Sequence, residues 1–239
     1  MRCYGTLTPF HQINNPMTEE TNPQKYQLQI IPVTQLQQNA MVFWSTETMR
    51  GVLIDPGGEV DKLMSAIKES GITIEAIWLT HGHIDHVGGA AESRRRLQCK
   101  IIGPHKDDQF LLDELTPGTY GIQEAESFTP DDYLEDGDTL TFDGLIFNIL
   151  HCPGHSPGSV VLYQPDLALA FVGDVLFQGS IGRTDLPGGD HQQLIESITG
   201  KLWPLGSAIS FVPGHGPAST FEQERLNNNF VADSVLGQS

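Results

Sequence analysis

Cysteine is scarce in this sequence. Its three copies, Cys3, Cys99 and Cys152, form no CxxC pair and no even-numbered framework. That excludes a disulfide-stapled scaffold and fits a reducing compartment. Basic residues are few as well: 13 Lys and Arg against 30 Asp and Glu give a net charge of −17. A sequence-independent grip on nucleic acid needs clustered cations. The one cluster, Arg94-Arg95-Arg96 with Lys100 nearby, reads as a solvated helix face, so no nucleic-acid partner is expected. The same imbalance argues against an anionic membrane surface, and no apolar run approaches the ~18 residues of a membrane span. No basic start followed by an apolar stretch marks a secretory leader, and the expected location is cytoplasmic. No Pro-, Gly- or Ser-rich linker divides the chain, and it contains no repeat. Residues 1–24 read as an irregular extension holding His11, which is not expected to be a ligand, and Met17, a candidate natural start. Residues 25–239 read as one domain with a sizeable core.

Histidine is concentrated in one place. Of nine histidines, three fall in His81-Gly82-His83-Ile84-Asp85-His86 together with an aspartate. Neutral imidazole is the commonest protein metal ligand, and carboxylates bind the same borderline metals. Four such groups this close point to two metal ions rather than one. Ala76–Thr80 reads as a buried strand, Gly82 as a sharp backbone turn, and Ala90–Leu97 as a helix after Gly88-Gly89. The donors would therefore sit on a loop at a strand end, where open sheets expose chemistry.

Three later segments repeat the design. His151-Cys152-Pro153-Gly154-His155-Ser156-Pro157-Gly158 follows the strand-like run Leu145–Leu150, and its paired Pro-Gly steps would hold His155 in a rigid turn. Phe171-Val172-Gly173-Asp174 is an apolar strand ending in a carboxylate. Phe211-Val212-Pro213-Gly214-His215-Gly216-Pro217 ends in an imidazole. Cys152 reads as a small buried residue behind the site.

In the order HxHxDH, His, Asp, His, these motifs resemble the metallo-β-lactamase-fold hydrolases over residues 25–230, nearly the whole chain. The resemblance implies an α/β fold, a four-layer αββα sandwich with two sheets face to face and helices on both outer faces. It also implies two divalent metal ions. His81, His83 and His155 would hold the first, Asp85, His86 and His215 the second, and Asp174 would bridge them. Zinc is the first choice, and iron or manganese suits the same donors. The loop Gly173–Asp190, with Gly182-Arg183-Thr184-Asp185, is similar to the short, single-domain glyoxalase II-like (hydroxyacylglutathione hydrolase-like) branch. A related GRTD element occurs in persulfide dioxygenases.

The implied activity is hydrolysis of a small thioester, such as S-lactoylglutathione, by a metal-bridging hydroxide. Asp85 would orient the nucleophile as well as bind metal. A thiolate, with a pKa of about 8.5, leaves without strong protonation, and the site segments contain no evident general acid. Arg183 is the candidate to grip a substrate carboxylate; the alternative is an internal ion pair with Asp185 or Asp190. The competing reading is a mononuclear Fe(II) persulfide dioxygenase using His81, His155 and Asp174.

Periodicity sets out the remaining elements. Strands are expected at 27–33, 41–46, 51–55, 74–80 and 100–102, with a helix over 59–70 ended by Gly71. Residues 105–136, including His105 and Tyr120, read as short helices and loops rimming the site. A second sheet is expected from 140–142, 145–151, 159–163, 167–172 and 208–212. Asp190 would cap a helix over 191–202 with His191 exposed, and a helix over 221–231 would close the chain.

Overall fold

Alternation along the strands decides which side chains meet. The computed structural model describes residues 25–237; the extension at 1–24, with Cys3, His11 and Met17, lies outside them. The first sheet has the order β1 (Tyr26–Val33), β2 (Gln38–Ser45), β3 (Arg50–Ile54), β4 (Thr73–Trp78), β5 (Lys100–Ile102). Its first three strands are antiparallel. The last two run parallel to β3, because α1 (Val60–Ser70) and α3 (Ala90–Leu97) cross between them. Short helices α2 (Ile84–Val87) and α4 (Gln109–Asp113) lie before α3 and after β5.

The second sheet contains β6 (Thr139–Phe142), β7 (Leu145–His151), β8 (Val160–Gln164) and β9 (Leu169–Gly173) as an antiparallel meander. A small hairpin, β10 (Leu176–Phe177) and β11 (Ser180–Ile181), and α5 (His191–Ser197) follow. Then β12 (Ser210–Pro213) pairs parallel with β9, and β13 (Ser219–Thr220) closes that edge ahead of α6 (Phe221–Asn227).

Both faces of both sheets are covered, so apolar side chains segregate by parity. In β2, Met41 and Phe43 enter the layer between the sheets, with Trp78, Phe147 and Phe171. Ala40, Val42 and Trp44 point the other way, onto Leu63, Ile67 and Ala90 of the outer helices. Val161, Val172 and Phe211 leave the second sheet on its far side and meet Leu194 and Phe221. The middle layer is aromatic: Phe147 lies edge-on to Trp78 at 5.0 Å and to Phe43 at 5.7 Å. These three apolar layers make the αββα sandwich.

Several expected boundaries move for local reasons. Strand β2 begins at Gln38, not Met41, because Gln38 and Asn39 reach the loop at His215. Regular α-helix in α5 ends at Ser197 and widens into a π-type turn over Ile198–Leu202. The closing helix stops at Asn227. Asn228 leaves the helical region, and its side chain bonds the Ser180 carbonyl and the Phe230 N–H instead. Gly71 does end α1, in a left-handed conformation at φ 69°. Among the described residues, no helix is long and apolar enough to cross a membrane.

Candidate metal centre

Asp55, just past β3, is the buried post on which the histidine loop is built. Its carboxylate accepts from the Thr80 N–H at 2.8 Å and the Thr80 hydroxyl at 2.6 Å. It also accepts from His86 Nδ1 at 2.9 Å. The Thr80 oxygen, its proton already donated, lies 3.1 Å from His81 Nδ1, so that nitrogen must be the donor. His155 Nδ1 donates to the Arg183 carbonyl at 2.8 Å, and His215 Nδ1 to the Leu36 carbonyl at 3.1 Å. In four rings the proton is thus fixed on Nδ1, and the Nε2 lone pair is offered to the centre. His83 is turned differently, its Nδ1 2.9 Å from His155 Nε2.

The donors form the two expected groups. Ligand atoms of His81, His83 and His155 lie within 4.8 Å of one another, as do those of Asp85, His86 and His215. Asp174 faces both: Oδ1 is 3.2 Å from His86 Nε2, and Oδ2 is 3.6 Å from His155 Nε2 and 3.7 Å from His215 Nε2. The structure therefore brings together all seven side chains singled out from sequence.

Buried polar atoms without partners test whether a metal fits here. Nε2 of His81, His83 and His86 and Oδ1 of Asp174 are buried and make no hydrogen bond. Such groups cost about 1–3 kcal/mol each when left unmade. Lone pairs from imidazole and carboxylate that converge without hydrogen bonds fit divalent cations.

The electrostatics agree. Burial, then the charges of His86 and His155, hold the His81 imidazole well below its ordinary range. Burial and His155 bring His83 down to about 4. Both are neutral near pH 7, the form in which imidazole can hold a metal. Burial alone would lower His86, yet Asp174 and Asp85 raise it well above its usual value. His215 is likewise raised, against burial, by Asp85 and Asp174. Burial would raise both carboxylates, but His86 foremost outweighs it, with further lowering from His155 and His215 at Asp174 and from His215 at Asp85. The pair of carboxylates attracts positive charge to this spot, as a proton or as a metal ion.

Asp108 is a member of the site that the sequence did not suggest. It lies in the acidic 105–136 stretch, where nothing in the pattern separates it from surface acids. It is fully buried and accepts from the Gly82 N–H at 2.7 Å, the Ser156 hydroxyl at 2.8 Å and the Gly158 N–H at 2.6 Å. It thereby clamps the His81–His83 loop to the turn that carries His155. Burial nevertheless holds its pKa above the ordinary carboxylate value. The reason for Gly82 changes accordingly: its φ is not positive, and an added Cβ would press on Asp108 and Leu111.

The centre opens into a cavity of about 850 Å³ whose apolar wall includes Leu36, Ile84, Leu111, Leu115 and Phe177. Tyr120 stands at its rim, 61% exposed. Arg183 also lines it, with its guanidinium held bidentately by Asp185 at 2.7 Å and 2.7 Å. Its backbone carbonyl, not its side chain, is what positions His155. Cys152 is buried and burial pushes its thiol up to about 12, in keeping with a packing role. His191 is exposed at the start of α5, where Asp190 caps the Gln193 N–H at 3.0 Å.

Known proteins are similar to this chain over most of its length. The chain is 42% identical over 207 residues to hydroxyacylglutathione hydrolase GloC of Haemophilus influenzae, covering 85% of this chain and 97% of that one. The crystal structure of BLEG-1 B3 metallo-beta-lactamase superposes with a TM-score of 0.79 at 36% identity, covering 86% of this chain and 99% of that one. TTHA1623 in a di-iron-bound form superposes with a TM-score of 0.75 at 38% identity, covering 84% and 99%. The model of the metallo-beta-lactamase superfamily matches residues 33–215, from the end of β1 to His215 itself, and the chain therefore belongs to that superfamily.

Proposed function

We propose that this protein is a binuclear metal-dependent hydrolase that cleaves a small thioester of the hydroxyacylglutathione type. The observation that carries the reading is the convergence of two donor triads on one carboxylate at the base of an open cavity. The substrate class rests on the 42% identity to GloC. His81, His83 and His155 would hold one divalent ion and Asp85, His86 and His215 the other, with Asp174 shared. Zinc suits these donors first, and iron or manganese also fits. Bound there, the ions would supply an acidified water and a polarised carbonyl.

The chain's own groups define the rest of the reaction. Asp85 lines the cavity with its carboxylate 3.1 Å from His215 Nε2. It is the group placed to orient the attacking water and to take up its proton. The apolar wall of Leu36, Ile84, Leu111 and Phe177 keeps bulk water from the carbonyl. Among the described residues no lysine lines the cavity, and its histidines are those assigned to metal, so an amine leaving group would lack a dedicated proton donor there. A thiolate needs none. Arg183 at the wall would grip a substrate carboxylate by exchanging it for that of Asp185.

Metal content and thioester turnover on one sample test this reading. About two metals per chain and S-lactoylglutathione hydrolysis lost in Asp174→Ala are expected. One iron per chain, no thioester turnover and oxygen uptake with glutathione persulfide would overturn it.

A further inference from the structure

A second convergence of histidines and carboxylate lies outside the cavity. His105, ahead of α4, and His151, the last residue of β7, stack with ring centroids 4.1 Å apart and planes 17° from parallel. A ring nitrogen of each and a carboxylate oxygen of Asp107 lie within 4.8 Å of one another. None of the three lines the cavity above the main centre.

Proton positions on the two rings follow from their partners. His151 Nε2 is 2.7 Å from the Pro157 carbonyl, which can only accept. Its proton is on Nε2, and Nδ1 of the neutral ring keeps a lone pair. His105 Nδ1 accepts the Asp107 N–H at 3.2 Å, so the proton of that neutral ring is on Nε2, which donates to Glu135 at 2.9 Å. Both rings therefore have a donor nitrogen tied to an oxygen; the lone pair of His151 Nδ1 is left over, and that of His105 Nδ1 takes only the long Asp107 N–H contact, which a cation would displace. The main centre uses the same device with the nitrogens exchanged. Outward N–H groups held by a carboxylate or a carbonyl are what fix metal-binding histidines in orientation. Asp107 Oδ2 also lies 3.4 Å from His105 Nδ1, near enough for one cation to join both.

We propose that His105, Asp107 and His151 form an additional divalent-cation site, separate from the two-metal centre and suited to zinc. Two imidazoles and one carboxylate, with room for water, match zinc-like borderline ions; magnesium and calcium take oxygen donors. Asp107 is exposed and His151 half-buried, so both can turn to aim at one ion, while buried His105 is held by Glu135. The His105 backbone N–H donates to the Gly158 carbonyl at 3.2 Å, and the His151 ring donates to the Pro157 carbonyl. An ion here would fasten the end of β7 to the turn that carries His155. Its role is that of a staple outside the chemistry.

The test compares zinc stoichiometry in the full chain, stripped with chelator and reloaded, for the wild type, His151→Gln and Asp107→Asn. The wild type is expected to hold one more equivalent than either variant. The difference is read whatever number the main centre holds, so it stands apart from the hydrolase reading. Equal stoichiometry in all three would overturn the proposal. A zinc-edge anomalous map of wild-type crystals grown with zinc needs no variant. A peak about 2.0–2.2 Å from His105 Nδ1, His151 Nδ1 and Asp107 is expected, and its absence while the main centre shows peaks would also overturn it.

Discussion

His83 shows how a single side chain ties stability to pH. Its imidazole is brought down to about 4 by burial and by His155, against about 6.5 in the unfolded chain. Between those values the unfolded state binds the extra proton, so stability rises with pH through that window and is lost as pH falls. The shift corresponds to roughly 3 kcal/mol. His81 acts in the same direction. His86 and His215, whose values are raised, act in the opposite one: their contribution is present below about 6.5 and fades as pH rises through their folded values. In metal-free protein, His83→Gln is expected to remove about 3 kcal/mol of the loss between pH 6.5 and 4. Urea unfolding at several pH values in chelator measures it, and a variant that tracks the wild type would contradict the assignment. The candidate donor side chains, which the structure brings together, were legible in the sequence because imidazole and carboxylate types announce their chemistry. Asp55 and Asp108 were not, since a supporting carboxylate is identical in type to a surface one and only burial tells them apart.

Elements were legible where apolar periodicity is strong. Helix α3 and strands β5 and β7 have the expected limits. Polar strands were not: Gln38 and Asn39 extend β2 through contacts with residues far along the chain, and the two-residue strands β10, β11 and β13 are too short to carry a period. The Asn227-Asn228-Asn229 run ended α6 early through side-chain bonds that no helical pattern reveals. At this scale the joint between loops is the vulnerable part. Asp108 holds three donors from two separate turns. Asp108→Ala would leave the Gly82 and Gly158 N–H groups unpaired, at about 1–3 kcal/mol each. Metal affinity should fall about 10–100-fold, as it does when a group supporting a metal ligand is removed. Chelator competition and thermal melts measure the two effects. Unchanged affinity would show that the turns hold their shape without the clamp.

Across the whole molecule, the sandwich was legible from a likeness of motif order rather than from periodicity, which gives strands but not their stacking. The two sheets also meet through polar contacts at the rim. The Asn39 side chain donates to the Pro213 carbonyl at 3.0 Å and the Gly216 carbonyl at 2.8 Å, and its backbone N–H to the Gly214 carbonyl at 2.7 Å. The side-chain pair fixes the His215 loop against the first sheet. Asn39→Ala is therefore expected to weaken metal retention at the Asp85, His86 and His215 group more than at the other. Stepwise metal release during chelator titration reads this out, and a uniform loss at both groups would contradict it.

Asp174 stands on the second sheet's side of the centre and the His81–His86 loop on the first's. Within one donor group, Asp85 and His215 are separated by 130 positions along the chain. An ion shared among them is a cross-link in the topological sense, closing a long loop as a disulfide would. This cysteine-poor chain would then hold its two halves together by a bond that can be withdrawn and restored, and how far they part at that rim would follow the supply of metal.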